Sequence, residues 1–201
     1  QMLLGVGAKK KTYLDDVFST FLYKGTSSSH SINNGIDLSG EGGLTWFKNR
    51  SSTYSNSLID TVRGKTKRVA SNWNGAEVTW TDTITSFNNN GFTLGTSDDI
   101  NDDGMNFASW TFRKAPGFFD VVTISLSSYS TNQRISHSLG CIPGLILLKN
   151  ANNTEDWRVY HQELGRSKYL ALNGTGAATT STDAWGTADP TSTDFGFNTT
   201  N

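Results

Sequence analysis

The stretch Gly43-Leu44-Thr45-Trp46-Phe47-Lys48-Asn49 recurs in related form and decides the predicted fold. Its second copy is Gly144-Leu145-Ile146-Leu147-Leu148-Lys149-Asn150, at an offset of 101 residues (144 − 43). The same offset joins further identical pairs: Leu38 with Leu139, Gly64 with Gly165, Lys67 with Lys168, Ala70 with Ala171, Asn72 with Asn173 and Gly75 with Gly176. This period matches a small sandwich domain and exceeds that of solenoid repeats. The sequence therefore predicts two tandem copies of one module.

Both copies consist of short apolar runs separated by turn residues, which predicts antiparallel strands. Residues 106–112 alternate bulky and small side chains with a period of two, as in a half-buried strand. Asn88-Asn89-Asn90-Gly91 is a hairpin signal, because Asn and Gly tolerate positive φ. Further strands are predicted at 16–23, 44–48, 57–62, 67–71, 77–87 and 92–94, and residues 156–164 are predicted to form a strand or at most one helical turn. We predict an all-β fold of two antiparallel β-sandwich modules of the jelly-roll or lectin-like type.

The domain organisation follows from the repeat. Residues 1–15 carry little pattern and are predicted to form an N-terminal arm or linker. The breaker segment Arg113-Lys114-Ala115-Pro116-Gly117 separates the first module, 16–115, from the second, 116–201. The second module stops before a counterpart of the strand 106–112, and a sandwich without this strand exposes unpaired backbone groups. We expect the missing strand to come from a continuation of the chain or from a neighbouring subunit.

Composition and charge argue against several classes of function. The formal net charge is −1, with 17 basic and 18 acidic residues, so no general attraction to nucleic acid or anionic lipid is expected. No apolar run approaches the ~18 residues needed to span a bilayer, and membrane insertion is not expected. Cys141 is the only cysteine, so no intrachain disulfide can form. The sequence predicts a protein made in a cytoplasm.

The segment Asp99-Ile100-Asn101-Asp102-Asp103-Gly104 matches the opening of a calcium-binding loop. Asp99, Asn101 and Asp103 would supply oxygen ligands at alternate positions, and Gly104 would allow the sharp turn. The twelfth position is Trp110, where such a loop needs a bidentate glutamate. Asp, Asn and Gly are equally suited to a turn between strands. A calcium site and a plain turn both stay open, and no other cofactor is predicted.

The six tryptophans suggest glycan binding, since flat aromatic faces can stack on sugar rings. Three of them sit in alternating apolar runs and are predicted to pack in the core: Trp46, Trp110 and Trp157. The other three lie among Asn, Gly, Thr and Asp and are the candidate glycan-stacking residues: Trp73, Trp80 and Trp185. For each of these the alternative is ordinary core packing.

No catalytic pattern is present in the sequence. The three histidines share no metal-ligand spacing, and there is no G-x-S-x-G elbow, phosphate loop or dinucleotide fingerprint. Asp60 and Glu77 could be imagined as a glycosidase pair, but the second copy carries His161 and Ala178 at these positions. An ion pair of Asp60 with Arg63, at the surface or at a sheet edge, accounts better for the first carboxylate. The sequence therefore predicts a protein that is not an enzyme.

Several longer motifs cover nearly the whole chain after Asp15. In the first copy they are 16–23, 34–44, 60–64, 86–95 and 108–122, and in the second copy 136–140 and 143–146. Together these segments resemble a repeated β-rich module in virion proteins of marine and cyanobacterial tailed phages. The resemblance implies a lectin-like sandwich in a tail-fibre or other surface-appendage protein, located on the virion surface.

The resemblance further implies a non-enzymatic structural protein of the phage particle that takes part in host attachment. Its expected partners are other virion proteins, further copies of the same chain in a homo-oligomer, and a host-surface glycan. A trimer is expected by analogy with appendages. Two alternatives stay open: a capsid-decorating head-knob protein with no host ligand, and a glycan-active enzyme.

Overall fold

The computed structural model describes residues 12–125, 132–182 and 184–198, and these form an all-β structure. In the first part of the chain the strands are β1 (Phe18–Lys24), β2 (His30–Asn33), β3 (Gly43–Asn49), β4 (Ser57–Asp60), β5 (Lys67–Ala70), β6 (Val78–Thr79), β7 (Ile84–Asn88), β8 (Gly91–Leu94) and β9 (Asn106–Arg113). They are followed by β10 (Gln133–Ser136), β11 (Leu145–Leu148), β12 (Arg158–His161), β13 (Lys168–Ala171), β14 (Thr179–Thr180) and β15 (Asp194–Phe197).

Helical structure in the described residues is limited to two short turns, α1 (Leu14–Val17) and α2 (Asp98–Asn101). No helix in these ranges is long and apolar enough to cross a membrane. Most of the predicted arm, 1–15, lies outside the described residues.

The first half of the chain forms two antiparallel sheets that share one apolar core. One sheet has six strands in the order β1-β9-β3-β4-β5-β6, and the other has three in the order β2-β8-β7. Strand alternation sends one set of side chains from each sheet into the same cluster. Its main members are Tyr23, Phe47, Ile59 and Phe107 from the larger sheet and Ile32, Ile84, Phe92 and Leu94 from the smaller one.

The second half also contains antiparallel sheets. A four-stranded sheet has the order β11-β12-β13-β14, and β10 pairs with β15 in a separate two-stranded sheet. Side chains from both sheets meet in a second cluster, with members that include Ile135, Ile146, Tyr160, Trp185, Phe195 and Phe197.

Strand pairing has the same register in the two halves. Leu44 pairs with Asp60 and Leu145 pairs with His161, so both partners shift by 101 residues (145 − 44 and 161 − 60). Strands β12, β13 and β14 likewise begin and end 101 residues after β4, β5 and β6 (158 − 57, 168 − 67 and 179 − 78). Strands β10 and β15 follow β2 and β8 by 103 residues (133 − 30 and 194 − 91). Both strands of this pair are therefore offset by two residues more than the strands of the four-stranded sheet.

The two halves pack directly against each other. Trp157, from the segment before β12, is buried in a cluster with first-half residues Leu44, Leu58 and Val69. Its indole Nε1 donates a hydrogen bond of 2.8 Å to the carbonyl oxygen of Ala70. Two backbone hydrogen bonds also join the halves, from Glu77 N to Ala151 O at 2.8 Å and from Glu155 N to Asn74 O at 2.9 Å.

Several sequence predictions of local structure are confirmed. Strands β7 and β8 pair across Asn89 and Asn90, and Gly91 has a φ of 142°, so the predicted hairpin is present. The segment 156–164 contains strand β12 and no helix.

One strand prediction is wrong, and another is confirmed except at its start. The predicted strand 77–87 is divided between β6 and β7, which belong to different sheets. The Thr83 hydroxyl holds the turn between them, with oxygen–oxygen distances of 3.3 Å to the Trp80 carbonyl and 3.1 Å to the Lys65 carbonyl. The predicted strand 16–23 begins only at Phe18, because the Asp16 carboxylate accepts the Tyr13 N–H at 2.9 Å within the helical turn α1.

Candidate functional site

An open groove of about 380 Å³ lies where three loops of the first half meet. Tyr54 comes from the β3–β4 loop, Trp80 and Asp82 from the β6–β7 turn, and Ser97, Asp98 and Asp99 from the start of α2. The groove therefore brings together one predicted glycan-stacking residue, Trp80, and one predicted calcium ligand, Asp99. Aromatic rings and convergent polar groups in a concave site are typical of ligand binding.

The indole of Trp80 is held in place from one side. Its side chain is 37% exposed, and the guanidinium carbon of Arg68 lies 4.4 Å from the ring centroid. Arg68 is buried in β5, where its Nε donates to the Ser57 hydroxyl at 2.7 Å. Because the guanidinium covers one face of the indole, a ligand would stack on the opposite face.

The Arg68 guanidinium also supports the acidic wall of the groove. Its Nη2 lies 2.5 Å from Oδ2 of Asp99. Within the described residues this oxygen accepts no aligned hydrogen bond, so the contact is an ion pair. Burial raises the pKa of the Asp99 carboxyl; Arg68 opposes this, while Asp98 and Asp82 add to it. The net effect makes Asp99 easier to protonate than an exposed aspartate.

The groove carries excess negative charge. Asp82 and Asp98 form no ion pair with any residue that the structure describes. Nearby carboxylates raise the pKa of Tyr54, chiefly Asp102, which lies outside the groove lining, followed by burial and then by Asp98 and Asp99 of the groove. The groove therefore favours neutral or positively charged ligands over anions.

The arrangement of the predicted calcium ligands does not fit a calcium-binding loop. Asp99 faces Arg68. Asn101 is fully buried; its Oδ1 accepts the Thr26 N–H at 3.0 Å, while its amide group donates to backbone carbonyls. Asp103 is exposed. Among the described residues no cluster of three or more His, Cys, Asp and Glu side chains could hold a metal ion. Calcium binding stays a prediction that the arrangement of these side chains does not favour.

Calcium titration is expected to leave the melting temperature of the protein unchanged. The reason is that Asp99 and Asn101 would have to leave an ion pair and three hydrogen bonds before they could bind the ion. The measurement is thermal unfolding in calcium chloride, with magnesium chloride and a chelator as controls. A calcium-specific rise in melting temperature that Asp103→Asn abolishes would establish the predicted site.

The other two candidate tryptophans lie away from the groove. Trp73 is 49% exposed in the loop after β5, and its ring packs over Gly75. Trp185 is 0% exposed, so the prediction that it is a surface stacking residue is wrong. Its ring packs edge-to-face on Tyr160 at 5.6 Å, and its Nε1 donates to the Lys168 carbonyl at 3.1 Å.

The two carboxylates of the imagined glycosidase pair are held by one arginine. Arg63 Nε lies 2.5 Å from Oδ2 of Asp60, and its Nη1 lies 3.0 Å from Oε2 of Glu77. Asp60 is buried and also accepts the backbone N–H groups of Val62 and Arg63 at 2.9 and 2.8 Å. This is the geometry of a structural ion-pair network. The predicted pair of Asp60 with Arg63 is present, but Asp60 is buried rather than at the surface, and its strand β4 lies inside the sheet rather than at an edge.

Several groove residues were not predicted from the sequence. Tyr54, Arg68 and Asp98 come from segments separate from that of Trp80, and only Asp82 lies near it in the sequence. The polar setting of Trp80 in Thr79-Trp80-Thr81-Asp82-Thr83 was the one local signal for this site.

Fold and groove define an all-β protein whose candidate binding site is an exposed aromatic ring beside acidic side chains. The chain belongs to the DUF7483 family, a domain of unknown function, and the family model matches residues 14–201. No curated protein and no solved structure matches the chain.

Proposed function

We propose that this protein is a non-enzymatic surface module of a tailed-phage particle that attaches to a host glycan through the groove at Trp80. The observation that carries the proposal is the exposed Trp80 ring beside Tyr54 in an open groove lined by carboxylates. An indole and a phenol ring offer apolar surface to the C–H groups of a sugar ring. Carboxylate oxygens accept hydrogen bonds from sugar hydroxyls.

The proposed architecture is two tandem β-sandwich modules of the jelly-roll or lectin-like type, 16–115 and 116–201. It is supported by the pairing of β11 with β12, which has the same register as the pairing of β3 with β4 at an offset of 101 residues (145 − 44 and 161 − 60). Each half also has its own hydrophobic cluster between its sheets, which supports two modules. The repeated motifs, which resemble those of virion surface proteins, support the location on the particle.

The groove belongs to the first proposed module alone. At the offset of 101 residues, Tyr54 corresponds to Glu155 (155 − 54) and Trp80 corresponds to Ser181 (181 − 80). The second copy therefore lacks both rings. Many copies of this groove on one particle would raise the avidity through effective concentration.

The charge of the groove defines the class of glycan. Asp82, Asp98 and Asp99 would repel carboxylated or sulfated sugars and accept hydroxyl or amino groups. We therefore propose a neutral or amine-bearing glycan. Asp98→Asn is expected to weaken this discrimination by a few-fold, through a loss of like-charge repulsion. The measurement is the ratio of the affinities for a neutral glycan and for its sialylated or uronic-acid counterpart. This ratio should fall towards one as the salt concentration rises, because salt screens the repulsion.

Trp80→Ala is expected to weaken glycan binding by about tenfold or more, because the stacking face is lost. The matched control is Trp73→Ala, which removes an exposed indole outside the groove and should leave binding unchanged. The measurement is a glycan array with the full chain displayed multivalently, followed by titration of single glycans. Trp80→Phe keeps a ring over Arg68 and should retain part of the affinity.

Each other outcome points to a different function. Equal loss in both tryptophan variants would place the glycan outside the groove. Absence of binding across a broad array would remove the attachment proposal and favour the capsid-decorating alternative. Shortened glycan products after incubation with the wild-type chain would favour a glycan-active enzyme.

A further inference from the structure

Two carboxylates in the Trp80 groove have no structural partner. Asp82 and Asp98 line the groove, and both are exposed. Within the part of the chain that the structure describes, neither side chain forms an ion pair or a hydrogen bond. By contrast, Asp37 holds a turn by accepting the Gly40 N–H at 2.8 Å. The two groove carboxylates are therefore free to bind a ligand.

Close backbone packing brings these two carboxylates to the same part of the groove. The N–H of Ser97, which precedes Asp98, donates to the carbonyl oxygen of Asp82 at 3.0 Å. A Cβ on Gly95 would lie 2.2 Å from the same carbonyl oxygen and 3.0 Å from that of Thr83, so glycine is needed where the β6–β7 turn approaches. Asp82 and Asp98 therefore lie on adjacent, hydrogen-bonded segments and can contact one group of a ligand.

The charge balance of the groove favours a cation. Its lining, as far as the structure describes it, includes three aspartates and no lysine, arginine or histidine. The Arg68 side chain is 4% exposed, and its guanidinium pairs with one of the three, Asp99. One guanidinium against three carboxylates leaves a formal charge of −2 (1 − 3). A cationic group of a ligand would reduce this excess, whereas an anion would be repelled.

A neutral sugar matches the two free carboxylates less well than a cationic one. A ligand that covers Asp82 and Asp98 removes water from both, and this costs free energy unless other groups replace the lost hydration. Hydroxyl groups donate hydrogen bonds but bring no charge. An ammonium group brings three N–H donors and a positive charge, and its hydrogen bonds to carboxylates are stronger than those between neutral groups.

We propose that the ligand of the groove is a glycan with a free amino group, and that its ammonium form binds between Asp82 and Asp98. This inference rests on the proposed attachment to a glycan at Trp80. The sugar ring stacks on the indole face opposite Arg68, which leaves its amino substituent to the carboxylates. An N-acetylated amine of the same sugar is neutral and has a single N–H donor, so it binds this wall more weakly.

The test compares oligomers of glucosamine and of N-acetylglucosamine of equal length, titrated against the full chain by calorimetry. Low salt and a mildly acidic pH keep the sugar amine protonated and exposed aspartates ionised. We expect the glucosamine oligomer to bind about tenfold more tightly. Asp82→Asn and Asp98→Asn should each lower this ratio by a few-fold. The matched control is Asp15→Asn, which makes the same charge change at an exposed carboxylate outside the groove and should leave the ratio unchanged.

The outcomes separate a failure of this inference from a failure of the proposed function. All three variants change exposed side chains and should melt close to the wild type, so a lost preference is not a loss of folding. Equal affinity for both oligomers, lost in Trp80→Ala, would overturn the ammonium site and leave glycan attachment standing. A preference that Asp15→Asn lowers as much as Asp82→Asn or Asp98→Asn would also overturn it, because overall charge would then attract the amine. Absence of binding to any glycan would remove the proposed function, and this inference with it.

Discussion

Replacing Trp157 by alanine is expected to lower the free energy of unfolding by about 3–5 kcal/mol, as for other buried aromatic residues that leave a cavity. The indole fills a cluster made largely by the other half of the chain, with Leu44, Leu58 and Val69. Its removal also leaves the carbonyl of Ala70 without its 2.8 Å hydrogen bond. Unfolding in urea followed by far-ultraviolet circular dichroism measures the loss, because it does not depend on tryptophan fluorescence.

The same substitution should also separate the unfolding of the two halves. In the wild type the shared cluster couples them, so we expect one transition; in Trp157→Ala we expect a broader transition or two. Trp73→Ala removes an exposed indole and should change stability by no more than about 0.5 kcal/mol. A Trp157→Ala protein that unfolds at the wild-type urea concentration, in one transition of equal slope, would show that the halves do not share this core in solution.

Replacing Arg63 by methionine is expected to cost about 3–5 kcal/mol, because it leaves a buried carboxylate without its countercharge. The Asp60 side chain is buried, and Arg63 Nε lies 2.5 Å from it. The same guanidinium binds Glu77 at 3.0 Å and donates to the Leu58 carbonyl at 3.2 Å. Methionine keeps most of the aliphatic packing, so the loss reports mainly on charge. Urea unfolding at neutral pH is the measurement.

Two further variants isolate the buried pair. Lys67→Met removes the more exposed partner of Glu77, which lies 3.6 Å away, and should cost no more than about 1 kcal/mol. Adding Asp60→Asn to Arg63→Met should recover part of the loss, because a neutral amide is cheaper to bury than an unpaired carboxylate. If the double variant is less stable than Arg63→Met alone, lost packing rather than a stranded charge causes the effect.

The strand pattern was predictable because it is a local property of the chain. Alternation in 106–112 and the turn residues before Gly91 correspond to β9 and the β7–β8 hairpin. Trp185 was mispredicted because its polar sequence neighbours say nothing about the sheet that packs on it. The offset of 101 residues pairs Trp185 with Ile84 (185 − 84), and both side chains are fully buried. Comparison of the two copies would therefore have indicated a core position for Trp185.

The groove could be predicted only in part. Trp80 was identified from its polar surroundings, but its neighbours come from three loops that only tertiary packing brings together. Arg68 lies in a short strand whose sequence, Lys-Arg-Val-Ala, gives no sign that its guanidinium is buried between Trp80 and Asp99. Burial of a charged group depends on its partner, and here the partner lies 31 residues further along the chain (99 − 68).

The central proposal is that this chain is displayed on a phage particle with the Trp80 groove free to meet a host glycan. A density map of the intact particle, at a resolution that places the chain, tests it most directly. We predict that the chain lies on a tail fibre or another appendage, with Tyr54 and Trp80 facing solvent. A map that places it flat on the capsid lattice, with these two rings buried against coat protein, would contradict the proposal and assign the chain to capsid decoration.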